Sequence, residues 1–326
     1  MSQSKDQSNN EFSLINRYFK KLTAQQDVVV GIGDDAAILA PTEGHQLALA
    51  TDSLVASVHF PDEANAYQVA TRSLCVNLSD MAAMGATPKW FTLALTLPNH
   101  LATTDWLQDF SQGLAEVAKQ YNVALVGGDT TAGPLTISIT VAGELPAGEA
   151  LCRGGAQVDD SIYVSGTLGD GAASLLALTQ NSETISERLL QRFYFPQPQI
   201  ALGVGLKDFA TACIDISDGL VADLGHICKA SGLGAAIKSD LLPIHSELKD
   251  NHSNQVLEWA LTGGDDYQLC FTVPESKQAA FDAWVQQANI PVTKIGNMTQ
   301  LQHNQDAVLL DDQALSANFG GYTHFK

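Results

Sequence analysis

Two adjacent carboxylates, Asp34 and Asp35, follow the apolar run Val28-Val29-Val30 in the stretch GIGDDAAIL, residues Gly31 to Leu39. Alone, the pair reads as a turn, because glycine and aspartate both suit the backbone angles and local hydrogen bonds of turns. The same design recurs, however: LALATDSL carries Asp52, VALVGGDTT carries Asp129, and CIDISDGL carries Asp215 and Asp218. In each case an apolar, strand-like run leads into a turn bearing glycine or aspartate. Asp80 adds a seventh carboxylate, because helical spacing over Ala64 to Met84 puts it on one stripe with Val69, Ser73, Val76 and Ala83. A carboxylate on such a stripe needs a cation or several donors beside it. The expectation is that acids from separate elements converge at one end of a sheet.

Monodentate aspartates without cysteine or histidine neighbours suit Mg²⁺, a hard cation that shares oxygen donors with phosphate. Gly127 and Gly128 would let a ligand approach the backbone closely and present N–H groups to phosphate oxygens. Acids alone would repel a nucleotide: two unit charges ~4 Å apart cost about 4 kcal/mol at an effective dielectric constant near 20. More than one divalent ion is therefore expected between the acids and the phosphates. The absence of GxxxxGK[ST], and of GxGxxG after a strand, agrees with a site that does not lean on a Walker lysine. HExxH and GxSxG are absent as well, which removes zincin and α/β-hydrolase readings.

These residues need a scaffold, and the 326-residue length predicts two domains, each able to bury its own core. The net charge of −19 argues against a nucleic-acid surface. No apolar run reaches the ~18 residues that cross a bilayer, and the polar stretch Met1 to Asn10 reads as a frayed tail rather than a secretion signal. Cys75, Cys152, Cys213, Cys228 and Cys270 form no CxxC pair and read as small buried hydrophobes in a reduced, cytoplasmic protein.

Periodicity predicts helices over Phe12–Leu22, Ala64–Met84, Asp105–Tyr121, Gly171–Thr179, Ile185–Tyr194, Ile200–Ala210, Gly219–Ser231, Gln255–Leu261 and Ser276–Gln287. Strands are predicted at Val28–Gly31, Leu47–Thr51, Phe91–Leu97, Val123–Val126, Leu135–Val141, Ile162–Val164, Ala212–Ile216, Ala235–Ile237, Tyr267–Val273 and Val292–Ile295. The stretch AGELPAGEALCRGGA, Ala142 to Ala156, marks the boundary, giving domains of 1–148 and 149–326. Strands and helices mix without strict alternation, so both domains are expected to be α+β. SGTLGDGAASL, Ser165 to Leu175, reads as a turn and helix cap rather than a phosphate loop.

In their order along the chain, EFSLI, GIGDDAAIL, TDSLVASVHF, NLSDMAAMGATP, LVGGDTT, DISDGL, GGDDYQLCF and GYTHF resemble the thiamine-monophosphate kinases. That family belongs to the superfamily of aminoimidazole ribonucleotide synthetase and selenophosphate synthetase, and the resemblance runs from about Phe12 to Phe325. It implies a two-domain α+β fold of the aminoimidazole ribonucleotide synthetase type, with the N-terminal sheet pairing in a homodimer. It also implies ATP-dependent phosphorylation of thiamine monophosphate to thiamine diphosphate. Mg²⁺ ligation carries over to Asp34, Asp52, Asp80, Asp129, Asp215 and Asp218, with Thr51 beside Asp52. Gly128, Asp129, Arg153 and Ser217 carry over as ATP contacts, and His59, Asp265 and Tyr322 as the thiamine-phosphate site. This chain departs from the frequent family residues at Asp265 (Glu), Tyr322 (Trp), Ala132 (Arg) and Ala50 (a hydroxyl residue). Transfer is expected to be direct and in line, because a phosphate monoester has a second pKa near ~6 and already presents an anionic oxygen. The alternatives are another enzyme of the superfamily and a non-catalytic nucleotide or cation sensor. Met1 to Val30 holds no cysteine, whereas selenophosphate synthetases place a reactive cysteine or selenocysteine in a mobile N-terminal segment.

Overall fold

The computed structural model describes residues 14–23, 27–180, 185–251, 255–301 and 307–315. The chain divides into two units. The first comprises residues 1–77 and 88–144, and the second comprises 78–87 and 145–326.

The first unit holds a two-stranded ribbon, β1 (Val28–Val30) with β2 (Ile38–Leu39), and a four-stranded sheet. That sheet is built from β3 (His45–Val55), β4 (Thr87–Leu97), β5 (Ala124–Ala132) and β6 (Thr136–Pro146) in the order β3-β6-β4-β5. β4 and β5 run parallel, and the register slips by one residue near Val126 before Gly128 comes opposite Leu93.

Helix α1 (Ala66–Ala83) starts in this unit, and its residues from Leu78 onward pack with the second. The single apolar stripe expected there is not what forms, since every residue from Val69 to Ser79 is buried. Two of its polar side chains bond to the helix's own carbonyls: Ser73 Oγ donates to Val69 O at 2.7 Å and Asn77 Nδ2 to Ser73 O at 2.9 Å. Helix α2 (Thr104–Gln120) is conventionally amphipathic, with Leu107, Phe110, Leu114 and Val117 buried and Thr103 capping Trp106 N. Gly113 lets the two helices touch, because a Cβ there would lie 2.7 Å from Tyr67 O.

The predicted first helix forms with other geometry. Ile15–Phe19 is a π-helix and Lys20–Thr23 a 3-10 turn, while Phe12 lies outside the described residues. The wider turn buries the neighbours Tyr18 and Phe19 together with Leu14, and Phe19 meets Phe110 edge-on at 6.5 Å.

The second unit is a seven-stranded sheet ordered β13-β12-β9-β11-β7-β10-β8. Its strands are β7 (Ser161–Ser165), β8 (Ala212–Asp215), β9 (Gly234–Ile237), β10 (Leu269–Val273), β11 (Val292–Thr299), β12 (Val308–Leu310) and β13 (Gln313–Ala314). Its helices are α3 (Asp170–Thr179), α4 (Glu187–Tyr194), α5 (Ile200–Leu206), α6 (Leu220–Ser231), α7 (Ser246–Asn251), α8 (Val256–Thr262) and α9 (Glu275–Ala288).

Side-chain alternation sends Ile162, Val164, Ile214 and Cys270 to one core with α6 and α8. Tyr163, Cys213, Leu269 and Phe271 go to another core with α5 and α9. Both faces of the central strands are thereby buried, which is why they read as unbroken apolar runs. All five cysteines are free thiols, and Cys152, expected to be buried, is exposed.

Candidate active site

The sequence places the acids at strand ends; the structure does so only for some. Asp215 closes β8, but Asp52 lies inside β3 and Asp129 inside β5. Nor do the acids share one sheet, since Asp52 and Asp129 belong to the four-stranded sheet and Asp215 to the seven-stranded one. Polar and glycine-bearing segments continue as strand here because ladder pairing with β6 and β4, rather than composition, holds them extended.

In the first unit a cavity of about 600 Å³ brings Asp34 and Asp35 together with Gly127, Gly128 and Asp129, and Lys20 lines the same space. The ribbon turn presents Asp34, whose Oδ1 accepts Asp35 N–H at 2.9 Å. The glycines leave that wall bare of side chains. Thr51 and Asp52 stand on the opposite edge strand, three inter-strand spacings or ~14 Å across the sheet. Thr51 Oγ1 pairs with Thr140 Oγ1 at 2.8 Å, and Asp52 N donates to Asn77 Oδ1 at 3.0 Å. His59 is half-buried, and its Nδ1 accepts Val55 N–H at 3.0 Å, which leaves Nε2 as the nitrogen that carries the proton in the neutral ring.

In the second unit Ser79 Oγ donates to Asp215 Oδ2 at 2.8 Å, and Asp80 is half-buried one residue further along α1. The turn after β8 is organised by a residue the sequence reading missed. Asp223 Oδ2 accepts the N–H groups of Ser217, Asp218 and Gly219 at 3.0, 3.0 and 3.1 Å. An acid in the first turn of a helix behind a glycine is the signal that marks it, a relative of the capping box. Burial, seconded by the charges of Asp215 and Asp218, pushes the Asp223 carboxyl up to about 7 against the pull of those N–H groups. With its N–H taken, Ser217 has its hydroxyl left as a donor.

Asp223→Ala would strip three amides of their acceptor, at ~1–3 kcal/mol for each donor left buried. We expect urea unfolding to show at least ~3 kcal/mol of lost stability. A midpoint within ~0.5 kcal/mol of the parent would contradict the anchor.

The GGDDY stretch packs directly against this turn. Asp265 N donates to Ser217 O at 3.0 Å and Tyr267 N to Ile216 O at 2.8 Å. Asp265 is half-buried with a left-handed φ of 68°, and Tyr267 OH donates to its Oδ1 at 3.0 Å. Arg153 is exposed in the segment between β6 and β7. Tyr322 lies outside the described residues. Among the described residues no three His, Cys, Asp or Glu side chains stand as a ready cation cage, and no helix is long and apolar enough to cross a membrane.

The candidate acids of this chain sit in two recognisable domains. A family described as AIR synthase related protein, N-terminal domain, matches residues 33–145, and its C-terminal counterpart matches 157–307. The two units are therefore those of the AIR-synthase-related fold. Within that class the chain is 47% identical to the thiamine-monophosphate kinase of Salmonella typhimurium (strain LT2), over 97% of this chain and 98% of that protein. The crystal structure of the thiamine-monophosphate kinase from Stenotrophomonas maltophilia K279a superposes with a TM-score of 0.86 at 42% identity, covering 94% of this chain and 98% of that one. The structure of AaThiL complexed with AMPPCP and TMP aligns over 100% of both chains, with 32% identity and a TM-score of 0.78. The chain belongs to the thiamine-monophosphate kinase family and is an enzyme of that kind.

Proposed function

We propose that this chain transfers the γ-phosphoryl group of ATP to the phosphate oxygen of thiamine monophosphate, giving ADP and thiamine diphosphate. The observation that carries the reading is the end-to-end match to a relative solved with both AMPPCP and TMP. The attacking oxygen belongs to a phosphate monoester whose second pKa is near ~6, so it is anionic at neutral pH without help. No side chain is then required as a general base, and none becomes phosphorylated. The work left to the protein is positioning and charge management, the usual demands of phosphoryl transfer.

Every residue assigned to the metal offers oxygen, a donor set that fits Mg²⁺. Asp34 and Asp129 would hold it in the first unit and Asp80, Asp215 and Asp218 in the second, with Thr51 and Asp52 contributing from β3. Bound there, several Mg²⁺ ions supply the positive charge that screens the acids from the phosphates and the phosphates from each other. Gly128 opens the cavity wall to phosphate oxygens, and Arg153 and the Ser217 hydroxyl orient the nucleotide. His59, Asp265 and Tyr322 are assigned to the thiamine-phosphate substrate, for which an aromatic ring such as that of Tyr322 would attract the cationic thiazolium.

The same reading pairs the four-stranded sheet with its mate in a homodimer. Edge strand β3 supports this by leaving Leu47 and Leu49 exposed, at 50% and 69%. Light scattering is expected to give twice the chain mass, and a monomer at micromolar concentration would refute the pairing.

Purified protein with Mg²⁺ and ATP tests the reaction itself. ADP should form only when thiamine monophosphate is added, with thiamine diphosphate in equal amount. Tight binding of both ligands without turnover would instead make the chain a sensor.

A further inference from the structure

The sequence reading sets aside two features that the structure joins: the glycine-rich stretch Ser165 to Leu175, and the second aspartate of GGDDY. Asp266 is 1% exposed, yet its carboxylate is fully engaged. Oδ2 accepts Gly169 N–H at 2.7 Å and Oδ1 accepts Gly171 N–H at 3.0 Å. These amides belong to the first turn of α3, whose N-cap, Gly169, has no side chain to cap with. The place where a phosphate could sit on this helix start is thus held by the protein's own carboxyl oxygens, which is the turn-and-cap reading with an acceptor from far along the chain.

Asp266 brings that helix start against its own chain neighbour. A Cβ at Gly171 would lie 2.5 Å from both Asp265 C and Gly264 O. On its other side the same loop is held by the bond from Asp265 N to Ser217 O. Asp265 keeps its left-handed φ of 68° between these two turns. Such a backbone costs an L-residue energy and persists only where neighbours over-determine it. One of those neighbours is fixed by Asp223 and the other by Asp266. The backing continues outward: Asp170 accepts Thr167 Oγ1 at 2.6 Å and Arg188 Nη2 at 2.9 Å, and Asp266 O accepts Arg192 Nη2 at 3.2 Å.

We propose that Asp266 is a positioning residue for the thiamine-phosphate site: by clamping Gly169 and Gly171 it presses the α3 turn onto Asp265 and fixes the direction of the Asp265 carboxylate. The proposal rests on the assignment of Asp265 to the substrate made above. It assigns to Asp266 no contact with substrate, and it predicts that the consequences of losing Asp266 pass through Asp265.

The test is a double-mutant cycle between Asp265→Asn and Asp266→Asn, read as separate KM values for thiamine monophosphate and ATP. Asp266→Asn keeps the shape but turns an amide toward one of the two N–H groups. It is expected to raise KM for thiamine monophosphate about tenfold and KM for ATP less than about threefold. Added to Asp265→Asn, it should change KM for thiamine monophosphate less than about twofold, because residues acting through one contact are non-additive. Equal losses for both substrates, or losses that multiply across the cycle, would overturn the proposal as general damage. If Asp266→Asn fails to fold, Gly171→Ala strains the same contact from the other side and should give the same KM split; parent-like kinetics would overturn it. Amide exchange on the unmodified protein gives a readout independent of turnover, with slow exchange expected at Gly169 and Gly171 and fast exchange refuting the clamp. A parent protein that does not use thiamine monophosphate would refute the proposed reaction while leaving the exchange result to judge the clamp.

Discussion

Gly128→Ala is expected to abolish the folded protein rather than trim its activity. Gly128 lies on β5 opposite Leu93 of β4, with φ at +149°, where side-chain-bearing residues are rarely found. A Cβ there would stand 1.8 Å from Leu93 O, 2.7 Å from Leu93 C and 2.9 Å from Leu93 N. These are backbone atoms of a paired strand, so no rotamer change relieves the overlap, and opening the β4–β5 ladder would sacrifice its hydrogen bonds. The combination of backbone strain and steric overlap ranks with the mechanisms that cost more than ~4 kcal/mol. A domain holds only ~5–15 kcal/mol in total, and each ~1 kcal/mol moves the melting temperature of a domain this size by ~2–4 °C. Calorimetry should therefore show a drop of ~10 °C or more, or insoluble protein. Gly127→Ala is the control, since a Cβ at Gly127 meets nothing nearer than Thr92 Cγ2 at 3.9 Å. It should melt within a few degrees of the parent. Parent-like melting of Gly128→Ala would show that the two strands do not approach as closely as described.

The contrast between these adjacent glycines indicates what a sequence can and cannot reveal here. Both were read as letting a ligand near the backbone and both line the cavity, but a Cβ on Gly128 would also meet the next strand, because β5 continues through what looked like a turn. The same misjudgement shortened β3, whose Thr51-Asp52-Ser53 is polar and glycine-free yet extended by its pairing with β6. Edge strands with one exposed face lose the apolar signal that made β7, β8 and β10 easy to find. Helix α1 was legible in its extent and not in its surroundings, since Ser73 and Asn77 hide their polarity against the helix's own carbonyls. The motif aspartates stand out in the sequence because glycine and apolar runs frame them. Asp223 and Asp266 do not, because their role is to accept amides from turns, and for Asp266 that turn lies 95 residues away at Gly171. Short elements such as α7 and β13 carry too few residues for periodicity to register.

Asp129→Asn should do the opposite of its neighbour and leave the fold intact while removing catalysis. Asp129 is exposed on β5, opposite Ala94, and its side chain lines the cavity shared with Asp34. Asparagine has the same shape, and an exposed exchange away from packing changes stability by no more than ~0.5 kcal/mol. What changes is charge: a hard divalent cation binds carboxylate oxygen far better than amide oxygen at the same place. On the proposed assignment of Asp129 to the metal, the exchange removes one anionic ligand beside the phosphates, and a hundredfold fall in turnover corresponds to ~2.7 kcal/mol. We expect thiamine-monophosphate-dependent ADP formation to fall at least a hundredfold, with the Mg²⁺ concentration for half-maximal rate shifted upward and the melting curve unmoved. Asp215→Asn is expected to lose turnover as well, but at 6% exposure and with Ser79 donating to it, that carboxylate is also part of the packing, so its melting temperature should drop too. The pair thus separates charge from structure. If Asp129→Asn turned over at the parent rate in limiting Mg²⁺, the cavity of the first unit would have no part in handling the metal-bound nucleotide, and the ligand set would have to be sought around Asp215 alone.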